Sequence, residues 1–405
     1  MKILPVLLLS LLAAGSTLGT AGADEPEALL LAQTEIDLDA LLDVGIVIFD
    51  PGLPEESDSS LEEEGIFAEV RKAEARYMAF QLKNTLEASG HWGAVRVVPE
   101  TAQALDLTVT GAIIKSTGLE LTLRVRVADA TGRGWRAKEY DGRAAADAYD
   151  PDRLEARDPF QSLYNEVAND MLEALHNRDV AEIATIREVA WLRFGADLAP
   201  DILGDYLRPK GKDRYAIERL PAPEDTMWAR VAAMRQRDEM FVDTLNEYYA
   251  DFHVRMGEPY QQWRLYSYDE ELALEEIRRQ ARNRKIAGGL MMVLGILGGA
   301  SGSGTAGAAG EAAVIGGAMV IESGIQKGRE AQMHVAALRE LASSFDSEIA
   351  PVLVKVDGRT LQLEGSAETQ FGEWRRLLHT IFAAETGFPL DPDSGEVEPD
   401  PAASG

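Results

Sequence analysis

The sequence predicts an α+β protein. It has an N-terminal α/β domain with a mostly antiparallel sheet and a long helical region carrying a glycine-rich hydrophobic hairpin. A small C-terminal β-hairpin and a helix follow. Three observations predict this. From Leu119 to Ala128, Leu119, Leu121, Leu123, Val125 and Val127 alternate with Glu120, Thr122, Arg124 and Arg126, which is the period of a strand with one wet face. Elsewhere apolar residues recur at three and four, most regularly from Met227 to Phe252, which is the period of a helix with one buried side. Finally, Ile286 to Gly310 carries no charge, and Glu311 is the one charge between Ile286 and Ile321.

Composition narrows the function. The chain has 405 residues, 46% hydrophobic and 27% charged, with a formal charge of −28. That is a globular composition, and its sign disfavours nucleic acid, whose phosphates call for a basic surface. There is no cysteine, so disulfides, thiol catalysis, Cys-type zinc sites and an acylated N-terminal Cys are all excluded. Met1 to Ala23 reads as a signal peptide: Lys2, an apolar core from Pro5 to Ala14, and Ala21-Gly22-Ala23 before Asp24. Export and the absence of cysteine point to the bacterial envelope, most simply the periplasm.

Taken in order, residues 24–43 read as an acidic linker; Asp24 to Val70 holds fifteen Asp or Glu and no Lys or Arg. The α/β domain is expected over 44–177. It opens with a buried strand, Val44 to Phe49, ended by Asp50-Pro51-Gly52. A helix follows from Ile66 to Ser89, stopped by Gly90. Ala94 to Val98 is the next strand, and Asp106 to Lys115, Leu119 to Ala128 and Trp135 to Tyr140 form a meander. Arg124 and Arg126 make a basic strip that suits an anion or simply a solvated sheet face. Pro159 to Leu175 closes the unit as an amphipathic helix.

Residues 178–285 are expected to be helical. Val180 to Arg193 is one helix, prolines punctuate the middle, and Glu224 to Arg255 is a long one. In the latter, Trp228, Val231, Met234, Phe241, Leu245, Tyr249 and Phe252 form a packing stripe rather than a cofactor box. Pro259 is expected to interrupt, and Ser267-Tyr-Asp-Glu270 to cap a new helix. That helix ends basic, at Arg278, Arg279, Arg282, Arg284 and Lys285.

The glycine-rich stretch, 286–323, follows. Gly288, Gly289, Gly295, Gly298 and Gly299 lie on its first arm, and Ala309, Ala313, Gly316 and Gly317 on its second. Small residues four apart allow helix backbones to approach closely in an apolar setting. Each arm is short for a span, which needs roughly 20 apolar residues. A re-entrant hairpin would place both basic flanks, Arg282, Arg284 and Lys285 with Lys327 and Arg329, on one side. In an exported chain that side is periplasmic, against the positive-inside rule for the inner membrane. Outer-membrane contact or self-association is therefore favoured. Gly302, Gly304 and Gly307 satisfy G-x-G-x-x-G, but no strand precedes them as a dinucleotide site requires. No cofactor is expected.

Residues 324–389 are read as a helix and a small αβ module. The helix runs from Gly324 to Ser347. Val352 to Val356 and Thr360 to Leu363 are joined across Asp357-Gly358, and a helix runs from Glu368 to Ala384. The tail, 390–405, reads as acidic and disordered. His91, His176, His253, His334 and His379 show no metal-ligand spacing, and there is no H-E-x-x-H or G-x-S-x-G.

Two resemblances add to this. The strand Gly45-Ile-Val-Ile-Phe49 with Asp50-Pro51, the segment Gln81-Leu82-Lys83-Asn84 and the hairpin from Leu107 to Gly132 resemble the TolB amino-terminal domain family and the related periplasmic domain of CsgG. The resemblance implies binding of an envelope partner, not turnover. TolB continues into a β-propeller and CsgG is acylated on Cys; this chain turns helical and has no Cys. The run Val354 to Glu368 resembles the strand pair of a BON domain, an envelope module associated with membranes. The sequence thus predicts a non-catalytic envelope protein that binds an envelope partner through its N-terminal domain and lipid or itself through residues 286–321. The alternatives are an oligomeric pore or export component, and a periplasmic hydrolase of envelope polymers.

Overall fold

A computed structural model describes residues 27–53, 66–100, 105–154, 157–287, 333–340, 352–356 and 359–388. The expected signal peptide, acidic tail, G-x-G-x-x-G run and glycine-rich residues from Gly288 to Gly317 lie outside these, as do Lys327 and Arg329. The fold is α+β. Five strands, β1 (Val44–Val47), β2 (Val95–Val98), β3 (Leu107–Ser116), β4 (Glu120–Asp129) and β5 (Gly134–Arg143), form one sheet in the order β2-β1-β3-β4-β5. β1 is parallel to both neighbours, while β3, β4 and β5 form the longer antiparallel ladders. The period-two reading holds: Leu121, Leu123, Val125 and Val127 are buried, and Arg124 and Arg126 are exposed. Arg124 pairs with Glu139 across the wet face (2.6 Å).

β1 is shorter than its apolar run suggests. The ladder to β3 ends at Ile46 and resumes at Asp50, whose N–H donates to Gly111 O. The break tucks Phe49 over Gly111, where a Cβ would lie 2.6 Å from the ring. Helices α1 (Ala68–Ser89) and α2 (Gln161–His176) cover the sheet with Ala73, Met78, Leu82, Leu86, Tyr164, Val167 and Met171. The acidic lead-in is not detached from this domain. Leu30 N–H donates to Asn169, Asn165 donates to Glu27 O, and Leu42 is 1% exposed.

Helix α3 (Val180–Leu198) starts in a capping box made by Asp179 and Glu182. The proline-punctuated middle contains a strand pair the sequence did not signal, β6 (Leu207–Pro209) with β7 (Tyr215–Ile217).

Helix α4 (Thr226–Ala287) organises the molecule. Its 62 residues extend roughly 93 Å at 1.5 Å each. The expected interruption at Pro259 and new cap at Ser267 are both corrected: the helix runs through them. An internal proline costs about 3 kcal/mol. Burial of Met256, Tyr260 and Trp263 around it, at roughly 1.5–3 kcal/mol for a large apolar side chain, offsets that. Ser267 turns its hydroxyl outward from the helix to accept Gly118 N–H (3.1 Å).

The first half of α4 packs against α3 and the C-terminal helix α5 (Ala367–Thr386). Trp228 lies against Trp191, and Phe241 stacks on Trp374 at 4.9 Å. Asp238 accepts from Trp374 Nε1 (2.9 Å). The C-terminal hairpin is β8 (Val352–Val356) with β9 (Arg359–Leu363).

Candidate functional site

The joint between α4 and the α/β domain is where charged side chains enter the core. The apolar stripe of α4 continues past Pro259 and places Arg264 on its inner face, 1% exposed. Both terminal nitrogens reach Asp158: Nη1 to Oδ1 at 3.2 Å and Nη2 to Oδ2 at 2.8 Å. Asp158 sits just before α2 and also accepts Phe160 N–H (2.9 Å) and the Tyr77 hydroxyl (3.3 Å). The Tyr260 ring lies 4.2 Å beneath the guanidinium, a cation–π contact made stronger by desolvation.

A second buried carboxylate stands beside this pair. Glu74, on α1, accepts from Tyr260 (2.9 Å) and Ser116 (2.8 Å). Burial pushes its carboxyl above the usual range, opposed by Arg71. His253 stacks on Tyr77 at 4.3 Å, and its Nε2 lies 3.0 Å from Gln81 Oε1. Burial lowers its pKa to about 4, so the ring is neutral at pH 7. Arg264 Nε and the Tyr164 hydroxyl are buried without a hydrogen-bond partner.

The helix also seals the sheet. β2 is an edge strand, and an open edge invites pairing with other chains. Asn246 Oδ1 accepts Val97 N–H (2.8 Å), and its Nδ2 donates to Val97 O (2.9 Å). One side-chain amide thus makes both bonds that a neighbouring strand would make. Asp243 binds Arg96 through two oxygens alongside (2.6 and 3.2 Å). At the far side of the sheet Arg143 holds Glu275 (2.8 Å), and α4 runs on from there to Ala287.

Two cavities open elsewhere. One of about 290 Å³ lies at the start of α3. Its carboxylates are engaged: Asp129 accepts from Trp135 (2.8 Å) and Glu182 from Arg133 (2.8 Å). The other, about 600 Å³, is walled by α3, α4 and the lead-in to β1.

Of the residues singled out from sequence, Arg282, Arg284 and Lys285 lie on the last turns of α4, with side chains outside the described set. His91 and His176 lie close enough for the charge of one to oppose that of the other, and the remaining three histidines are scattered. His253 belongs to the joint, His379 faces Asp197 (3.3 Å), and His334 lies against Tyr266 (ring centroids 5.9 Å). Among the described residues no three His, Asp or Glu side chains are placed to hold a metal ion. Sequence reasoning missed Arg264, Asp158, Glu74 and Asn246. For Arg264 a signal existed: Phe252, Met256, Tyr260, Trp263 and Arg264 share one helical face, and an arginine on an apolar stripe asks for a buried partner.

No helix among the described residues is long and apolar enough to cross a membrane. No protein-family model matches the chain, and neither a curated protein nor a solved structure matches it.

Proposed function

We propose that this chain is a non-catalytic protein of the bacterial cell envelope. Its α/β domain binds an envelope partner, and α4 carries the glycine-rich segment to a membrane or to other copies of the chain. The observation that carries this reading is the continuity of α4. One helix is locked onto the domain by Asn246, Arg264 and Glu275, then runs on to Ala287 at the edge of the uncharged stretch. A long helix tied at several points is a stiff arm, fit to present its end away from the domain.

The return path supports the same reading. Tyr266 precedes Ala287 by 21 residues, roughly 32 Å of helix, yet His334 is back beside Tyr266. The two ends of that intervening sequence are thus offset along one helix, with His334 level with Tyr266 and not with Ala287. Leu290 to Leu294 and Ala312 to Ile321 are too apolar to favour water, and small residues at spacing four suit close helix contact in lipid or between subunits. The signal-peptide pattern and the resemblance to envelope domains supply the compartment.

The test is fractionation of the mature protein, intact and with residues 286–321 replaced by a short Gly/Ser linker, followed by sizing in mild detergent. The intact form is expected with membranes or as an oligomer, and the replaced form as a soluble monomer. Two soluble monomers would overturn the proposal.

A further inference from the structure

The two edges of the sheet differ. Asn246 seals β2, whereas β5 packs against β4 on one side and under α2. Register fixes which β5 backbone groups face outward. Ala144 N–H donates to Leu119 O, so those two residues form a hydrogen-bonded pair. Along an antiparallel ladder such pairs alternate with non-hydrogen-bonded ones, and the register is unbroken from Glu120–Arg143 to Val127–Arg136. Arg136, Lys138, Tyr140 and Gly142 therefore bond to β4. Ala137, Glu139, Asp141 and Arg143 turn both N–H and C=O away from it. Among the described residues none of these outward groups has a hydrogen-bond partner. They recur at every second residue, about 6.8 Å apart, which is the repeat of an extended chain.

The side chains beside this edge select what such a chain carries. Glu139 and Asp141 are exposed on the wet face. Glu139 receives both Arg124 bonds on Oε1, and Asp141 receives the Thr122 hydroxyl on Oδ1 (2.6 Å). The second oxygen of each carries no hydrogen bond among the described residues. On the other face Arg136 and Lys138 are held by Glu166, Asp170 and Glu173 of α2. A second copy fits this edge poorly. Antiparallel pairings of two β5 strands centred on residues 139 to 141 set Glu139 or Asp141 against an acid of the other strand, and like charges directly opposite are destabilising.

We propose that the open edge of β5 takes up an extended segment of the envelope partner as an added strand, with Lys or Arg at the alternate positions facing Glu139 and Asp141. This rests on the reading that the α/β domain binds such a partner. Main-chain bonds supply affinity, and alternate side chains supply selectivity. A net charge of −28 steers a basic segment toward the chain.

The test is fluorescence anisotropy of the full mature chain with a labelled peptide, Thr-Val-Lys-Val-Lys-Val-Thr, at fixed ionic strength. Saturable binding is expected. Glu139→Gln removes the carboxylate and keeps the backbone, and should raise the dissociation constant severalfold. Glu139→Pro also removes an outward N–H but no ladder bond, and should raise it about tenfold or more. Should Glu139→Pro disturb folding, which circular dichroism would show, methylated peptides decide without altering the protein. N-methylation at the two Lys amides, which face β5, should abolish binding, and N-methylation at the central Val should not. Absence of saturable binding, equal effects of the two variants, or indifference to which amides are methylated overturns the proposal. Photocrosslinking separates this from failure of the underlying reading. With p-benzoylphenylalanine replacing Ala137, or Glu87 on α1, in cells that make the chain natively, adducts at 137 that vanish with Glu139→Pro are expected. Adducts at 87 alone would keep the partner and overturn the edge, and adducts at neither would overturn both.

Discussion

Arg264 and Asp158 form the contact on which the seating of α4 depends most at the level of single residues. Each is about 2% exposed at its side chain. Removing one partner of such a pair strands the other charge in the core, at a cost of roughly 3–5 kcal/mol. Arg264→Met alone is therefore expected to lower stability by about that much in urea denaturation. Adding Asp158→Leu to it should recover a large part of the loss, because the stranded charge is gone. His253 sets a pH dependence of definite sign. Its pKa falls from an ordinary 6.5 to about 4 in the fold. The folded state thus refuses a proton that the unfolded chain accepts. Its contribution is fully present above about pH 6.5 and lost as pH falls toward 4. The shift corresponds to at most about 3 kcal/mol. His253→Phe should flatten the stability–pH curve in that window, read from urea midpoints at pH 7 and pH 4.5.

Among the elements, α4 and edge strand β2 depend on each other. Asn246→Ala removes two hydrogen bonds to Val97 and leaves both backbone groups of the edge without them. A loss of about 2–3 kcal/mol is expected, with concentration-dependent aggregation as the edge opens, measured by light scattering. Much of this level was legible in the sequence. Alternation in β4 and the stripe from Trp228 to Phe252 report directly which side is buried, because period reflects geometry. Pro259 misled because its local cost is real, while the burial of Met256, Tyr260 and Trp263 that offsets it is tertiary. Ser267 carried a true capping pattern whose hydroxyl the structure spends on Gly118 instead. The three-residue strands β6 and β7 are too short to display a period. Asn246 was invisible for a different reason: it matters through one partner far away in sequence, and a lone polar residue announces no partner.

Across the whole molecule, the buried residues form one continuous cluster from Leu42 to Phe382. The α/β domain, the helical layer and α5 therefore share a core, and α4 runs through all of it. Such a body transmits the position of its arm without a hinge between layers. Its formal charge of −28 discourages diffuse contact with anionic lipid, and under the proposed function the apolar stretch beyond Ala287 is the route to a membrane or to another subunit.

The most direct measurement places a probe in that stretch. The chain has no cysteine, so Ala313→Cys provides a single thiol for an environment-sensitive fluorophore. Emission is recorded with and without lipid vesicles, and across a range of protein concentrations. A blue shift and shielding from an aqueous quencher are expected, on adding vesicles if the segment enters lipid or on raising concentration if copies associate. A probe that stays fully water-exposed under both conditions would rule out residues 286–321 as the association device.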